Sequence, residues 1–256
     1  MNVARRTLLA CAIGAFAASA APAAAADREA GDRVVSAEGT TTTADGHEAN
    51  VHILVVVPAG ESAKAAKDRA LAGQNARAAS HGTGTPTQTF STTGLVWDNA
   101  IATQRYNPSG QPVSGQSALT GTQGSWNGAG SRFRFVNGGT TSTCPSLVPG
   151  CAGGQRFDGE NGVGWAVLEE GTLGVTVYST SIDEADMGIN TGYPWNLGCQ
   201  ELGTSYDLQT VLLHENGHVV GLDHSSDTGA IMYPSYQQAD CTLGQDDING
   251  IRSIYP

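Results

Sequence analysis

An α+β fold, with a twisted sheet packed on helices, is what this 256-residue sequence predicts for its main part. Three observations point to it. From Phe90 onward one strand and one helix lead into a run of short strands. A helix, a turn-rich stretch and a second helix then close the chain. Finally, "HENGHVVGLDH" at 214–224 makes physical sense only on a helix that stops at its glycine.

Taken in order, residues 1–26 read as a cleaved signal peptide: Arg5 and Arg6, an apolar stretch from about Leu8 to Ala21, and an alanine run ending at Ala26. Sec and twin-arginine export both stay open, and the apolar stretch is too short and alanine-rich for a stable membrane anchor. Residues 27–88 hold an apolar strand, "VHILVVVP", an alanine-rich helical stretch, "ESAKAAKDRALAGQNARAA", and a Gly/Thr/Pro linker, "SHGTGTPTQT", that runs on to residue 89. This segment reads as a pro-region or as an extra layer on the domain that follows. His47, His52 and His81 in it read as ordinary surface or partly packed histidines.

Within residues 89–256, "GLVWDNAIATQRY" predicts a strand with its extension. "SALTGTQGSW" predicts a helix with Leu119, Thr122 and Trp126 on one side. "RFRFV", "GWAVL", "LGVTVYS" and "EADMGIN" predict strands. Ser205 or Asp207 is placed to cap the next helix, whose Leu208, Val211 and Leu212 face a core.

That helix carries the chemistry. His214 and His218 are four apart and therefore share one side, one turn apart. On a continuing helix His224 would lie about 9 Å beyond His218, too far to share a metal bond of about 2 Å. Gly221 permits the helix to end in a left-handed residue, and the chain can then return His224 as a third ligand. Three histidines leave one zinc position open for water, and Glu215, one step around from His214, is placed to take that water's proton. The competing reading is a helix whose histidines are merely packed. Asn216, almost opposite His214, needs a hydrogen-bond partner or water.

"HENGHVVGLDHS" followed by "AIMYPSY" resembles the metzincin metallopeptidases, with Met232 matching the methionine of their Met-turn. The likeness is closest to matrixins of the small secreted bacterial type. "DLQTVLLHENGHVVGLDHS" is similar to their active-site helix and "LGQDDINGIRSIYP" to their C-terminal helix. The resemblance implies a zincin domain with a mostly parallel sheet, one catalytic zinc, and hydrolysis of peptide bonds in proteins. Substrate would lie extended along an edge strand, here "GWAVL" at 164–168. Tyr233 directly follows the methionine, one position short of the family's tyrosine ligand, and is not assigned to the metal. No cysteine stands between residue 26 and Cys144, so the matrixin thiol latch is absent. Two rival classes remain: a non-catalytic zinc-binding adhesion or interaction module, and a zinc hydrolase acting on something other than protein.

Once Cys11 leaves with the leader, Cys144, Cys151, Cys199 and Cys241 allow three pairings. Cys144–Cys151 and Cys199–Cys241 are favoured, as expected of an exported chain. Calcium is expected as a second ion, on Asp158, Glu160 and Asn161 of a glycine-rich loop and on Asp183, Glu184 and Asp186; the alternative is ordinary turn and surface acids. Cleavage of the leader removes two of 13 basic residues and none of 24 acids, taking the net charge from −11 to −13. Nucleic acid is thereby excluded as a partner. A secreted, extracellular monomer acting on protein or peptide is the expectation.

Overall fold

A computed structural model describes residues 32–79, 88–148, 156–181 and 183–256. The expected leader at 1–26, His81 and Cys151, and with Cys151 the expected Cys144–Cys151 pair, lie outside these residues.

The chain opens with a β-hairpin, β1 (Arg33–Thr42) and β2 (Glu48–Val57), then α1 (Ala63–Gly73) and the short β3 (Arg77–Ala78). Next come β4 (Ile101–Asn107), α2 (Gln116–Asn127), β5 (Arg134–Thr140), β6 (Asn161–Ala166), β7 (Thr172–Ser179) and β8 (Glu184–Asn190). The two-residue pair β9 (Trp195–Asn196) and β10 (Tyr206–Asp207) leads into α3 (Leu208–Val220), and α4 (Gln245–Ile254) ends the chain. Among the described residues the main sheet has eight strands in the order β3-β1-β2-β7-β8-β6-β4-β5. Its parallel part is β8-β6-β4-β5; β7 runs antiparallel to β8, and the hairpin continues antiparallel beyond β7.

Two apolar layers cover the sheet. Leu54 and Val56 of β2 join the core formed with α2, α3 and the C-terminal residues, including Trp126, Leu212, Leu213 and Tyr255. Val51, Ile53, Val55 and Val57, alternating with them, point the other way and pack with Ala66, Ala70 and Leu71 of α1. Burial on both faces explains why β2 reads as an unbroken apolar run. The β1–β2 hairpin thus extends the sheet beyond β7, and α1 packs on one of its faces.

The predicted helices of residues 89–256 form, as does a strand in each predicted strand segment, except that "GLVW" is no strand and a single 3-10 turn, Asp98–Ala100, precedes β4. In the N-terminal segment, α1 is shorter than its alanine-rich sequence suggested. It starts at the Ser62 cap, whose hydroxyl accepts from Ala65 N, and ends before Asn75, which takes a positive φ of 52°. β1 has no counterpart in the sequence reading, because "RVVSAEGTTT" lacks a strong apolar alternation and is held as a strand by pairing along the whole of β2. One expectation is overturned: "GWAVL" is no edge. β6 lies between β4 and β8, and the outer strands of the part from Phe90 onward are β7, "TLGVTVYS", and β5.

Candidate metal centre

Helix α3 is capped at both ends by its own sequence. Asp207 Oδ1 accepts from Thr210 N (2.8 Å), and its Oδ2 accepts from Cys199 N (2.9 Å). At the other end Gly221 adopts φ 106°, while Gly221 N reaches His218 O (3.0 Å) and Leu222 N reaches Gly217 O (2.9 Å). The chain turns back there, clamped by Thr93 N to Gly221 O and Asp223 N to Ser91 O. This reversal brings His224 to the other two histidines. Ring centroids are 4.9 Å apart for His214 and His218, 5.3 Å for His214 and His224, and 4.8 Å for His218 and His224.

Their outer nitrogens are fixed. His214 Nδ1 donates to Ile231 O (2.8 Å) and His218 Nδ1 to Leu222 O (2.9 Å); carbonyls only accept, so each Nδ1 carries the proton and each Nε2 presents a lone pair. His224 Nδ1 donates to the Glu38 carboxylate. The two Nε2 atoms of His214 and His218 face each other at 3.2 Å. Two lone pairs repel at that distance, whereas nitrogens bound to one tetrahedral zinc at about 2.05 Å stand about 3.3 Å apart. Burial, then the neighbouring histidine, pushes His214 down to about 3, and burial with the surrounding histidines holds His218 well below its usual range. Both rings are therefore neutral and suited to bind a cation. The residues fit zinc.

Glu215 is buried at 1 % exposure beside the triad and is pushed up to about 8 by that burial, against the opposing pull of the Thr176 hydroxyl that donates to it. Asn216 has the partners it needs. Its Oδ1 accepts from Gln104 Nε2 (2.9 Å) and its Nδ2 donates to Thr122 Oγ1 (2.8 Å), while Gln123 closes the network on Gln104 (2.9 Å).

Met232 lies under α3, and Gly217 is the residue that admits it: a Cβ there would stand 2.1 Å from the Met232 sulfur. The Met-turn itself is held by Asp247, which sequence reasoning missed. Its carboxylate accepts from Ile231 N (2.8 Å), Met232 N (3.1 Å) and Gly244 N (2.7 Å). Burial nevertheless pushes its pKa up to about 6. Asp247→Ala is expected to cost about 2 kcal/mol or more by orphaning these donors, read from urea unfolding. A loss under about 0.5 kcal/mol, the range of ordinary surface changes, would remove Asp247 from this role.

The expected Cys199–Cys241 disulfide is present, with a Cα–Cα separation of 5.7 Å. The expected calcium residues gather at the β6–β8 corner. Glu184 accepts from Asp158 N (2.8 Å) and Gly159 N (2.5 Å), Asp186 from Gly162 N (2.9 Å), and Asn161 from Ala185 N (2.9 Å). Glu160 instead pairs with Arg105 at 3.2 Å, and Asp183 is exposed, in an isolated bridge to Ser179. Burial raises the pKa of both Glu184 and Asp186.

His52 differs from its sequence reading. It is buried, its ring centroid lies 4.0 Å from that of His218, and its Nε2 is 3.0 Å from the Tyr178 hydroxyl. A single histidine inside the apolar run "VHILVVVP" was the available signal; without β1 and the pairing to β7, nothing placed it near residue 218. His47 is exposed, as read.

The Matrixin family matches residues 148–256. The horse interstitial collagenase is 56% identical over 52 residues, which are 20% of this chain and 11% of that protein. The human neutrophil collagenase is 52% identical over 54 residues, covering 20% and 12%. The Arabidopsis thaliana Metalloendoproteinase 4-MMP is 34% identical over 103 residues, covering 39% and 30%. The chain thus spans less than a third of the length of each of these relatives. Over the residues that carry the three histidines and the turn at Met232, the chain is similar to matrixins.

Proposed function

We propose that the protein is a secreted zinc-dependent endopeptidase that hydrolyses peptide bonds in proteins. The observation that carries this reading is the convergence of three histidines, with His214 and His218 Nε2 at 3.2 Å, beside the buried carboxylate of Glu215. Zinc bound there supplies a Lewis acid that polarises a carbonyl and makes water a nucleophile near neutral pH. The chain's own groups do the rest. His214, His218 and His224 hold the ion, each oriented through its Nδ1. Glu215, aligned by Thr176, takes a proton from the attacking water and returns it to the leaving amine. Met232 supports the triad from beneath. The names of the relatives, collagenase and metalloendoproteinase, support protein as the substrate class. No helix among the described residues is long and apolar enough to cross a membrane; the leader-like start supports export, and a monomer acting alone suffices for this chemistry.

The test is metal analysis together with casein hydrolysis, on the wild type and on His52→Ala. One zinc per chain, with turnover abolished by 1,10-phenanthroline and restored by added zinc, is the expected result. Bound zinc without turnover in either protein would favour the non-catalytic module, and absence of bound zinc would end the reading.

Calcium belongs to the same proposal, at Asp158, Glu184 and Asp186 with Asn161 beside them. Two buried carboxylates with raised pKa values support it, since a divalent cation offsets their desolvation. Millimolar calcium added to calcium-free, zinc-loaded protein is expected to raise Tm by about 5 °C. The shift should vanish in Glu184→Gln; an unchanged Tm in the wild type refutes the site.

A further inference from the structure

β7, the outer strand beside Glu215 in the part from Phe90 onward, already has a partner. β2 pairs antiparallel with β7 from Asn50↔Tyr178 to Val55↔Thr172, with His52 opposite Thr176 and Leu54 opposite Gly174. Thr176 is the residue that donates to Glu215, and a Cβ on Gly174 would stand 3.4 Å from Glu215 Oε1. β2 therefore runs directly past the candidate base, on the edge where an extended peptide would form its backbone hydrogen bonds.

Its side chains match that position. Residues of one strand face are two apart, about 7 Å along the chain. His52 and Leu54 are such a pair, and both point toward α3. One ring nitrogen each of His52, His218 and His224 lies within 4.8 Å of the others. The Tyr178 hydroxyl holds the His52 ring by Nε2 at 3.0 Å, which makes Nδ1 the candidate donor atom. Leu54, 2 % exposed, closes a cavity of about 210 Å³ beside His214 that Thr210, Val211, Ile231 and Tyr236 also line.

β1 fastens the strand in place. Glu38, paired across the hairpin with His52, accepts from His224 Nδ1. Ser36 N donates to Pro234 O (3.1 Å), and Ser235 Oγ donates to Val34 O (2.5 Å), tying β1 to the segment after Met232. The hairpin thus contacts the metal centre, the adjoining cavity and the Met-turn segment together.

We infer that the β1–β2 hairpin is a tethered occupant of the substrate edge, with His52 as a fourth protein ligand to the metal and Leu54 as a stand-in for a substrate side chain. This inference rests on the metallopeptidase reading. A fourth protein ligand closes the coordination position that hydrolysis needs open, since structural zinc sites are filled by four protein groups and catalytic ones by three. The full chain is then latent, and turnover requires β2 to leave β7. A histidine on a paired strand thereby does what a thiol latch would do, in a chain with no cysteine between its leader and Cys144.

Cobalt-substituted protein, full-length apart from the leader, tests this without depending on turnover. Wild type and His52→Ala are compared by visible absorption, by titration with acetohydroxamic acid, and by cleavage of a quenched fluorescent peptide. The wild type should show the d–d bands of an all-nitrogen site, and His52→Ala those of a site containing oxygen. Acetohydroxamic acid should bind His52→Ala at least about tenfold more tightly, because the open state is a minor population in the wild type. Peptide cleavage should rise by a similar factor. Identical spectra and equal acetohydroxamate affinity would overturn the proposal, as would a wild type that cleaves peptide as fast as the variant. A spectral change with no cleavage in either protein would keep His52 as a ligand while refuting the peptidase reading, and failure of both proteins to take up cobalt would overturn both. If His52→Ala does not fold, His52→Gln serves in the same comparisons, and Leu54→Ala is expected to loosen the hairpin and tighten acetohydroxamate binding with the all-nitrogen spectrum of the resting protein retained.

Discussion

Glu215→Ala should retain its zinc and lose about a hundredfold to ten-thousandfold in kcat, the range associated with removing a positioned general acid–base group. The two effects separate because Glu215 shares α3 with His214 and His218 and yet supplies no ligand atom to the triad. In the proposed mechanism its work would be proton transfer, and burial raises its pKa toward the range that suits such a group. Glu215→Gln is the closer control, since its amide oxygen still accepts from Thr176 while the base is gone. Zinc analysis and kcat on the same samples, in the wild type and in the His52→Ala background, decide the matter. A variant with zinc bound and turnover within about tenfold of its parent would move the base elsewhere, because loss of a true general base exceeds that factor.

Gly221→Ala should be the most damaging single methyl group in the site. The residue sits at φ 106°, and a Cβ there would stand 2.3 Å from the Leu95 carbonyl oxygen, a backbone atom that cannot swing aside. Conformational strain and overpacking together should cost on the order of 3 kcal/mol in urea unfolding. Zinc affinity should fall as well, because this turn is what returns His224 to the other ligands. Gly124→Ala is the contrasting case. That glycine is exposed inside α2 with nothing within 4 Å of its Cβ position, and the change should stabilise by about 0.5–1 kcal/mol through helix propensity. If Gly221→Ala proves as harmless as Gly124→Ala, the turn is not what positions His224.

The convergence of His214, His218 and His224, the place of Glu215 beside them, the cap at Asp207 and the break at Gly221 were legible in the sequence because each follows from helix geometry within a span of 18 residues. The order of elements from Phe90 onward was legible for a similar local reason, since alternation and turn residues mark strands without reference to their partners. What depends on pairing was not. β1 is a weak strand that exists through β2, and the identity of the sheet edge required the strand order, which the sequence does not carry. Glu38 and His52 reach the metal centre across 186 and 166 positions of chain, and Asp247 reaches the Met-turn from another helix. Their residue types were visible, but their convergence is a property of the folded sheet.

The Cys199–Cys241 bond has a further consequence for how this metal centre comes into being. The bridge spans a sequence separation of 42, and within that ring lie all three histidines, Glu215 and Met232. Closing a ring of this size removes about 4 kcal/mol of chain entropy from the unfolded state on a loop-entropy view. An oxidised but unfolded chain therefore keeps His214, His218 and His224 on the same covalent loop as Met232. The histidines are at most 10 positions apart in either redox state; what the bridge shortens is the search by which the segment after Met232 finds the start of α3. The redox state of the compartment in which the protein folds thus bears on how readily α3 and the turn at Met232 come together.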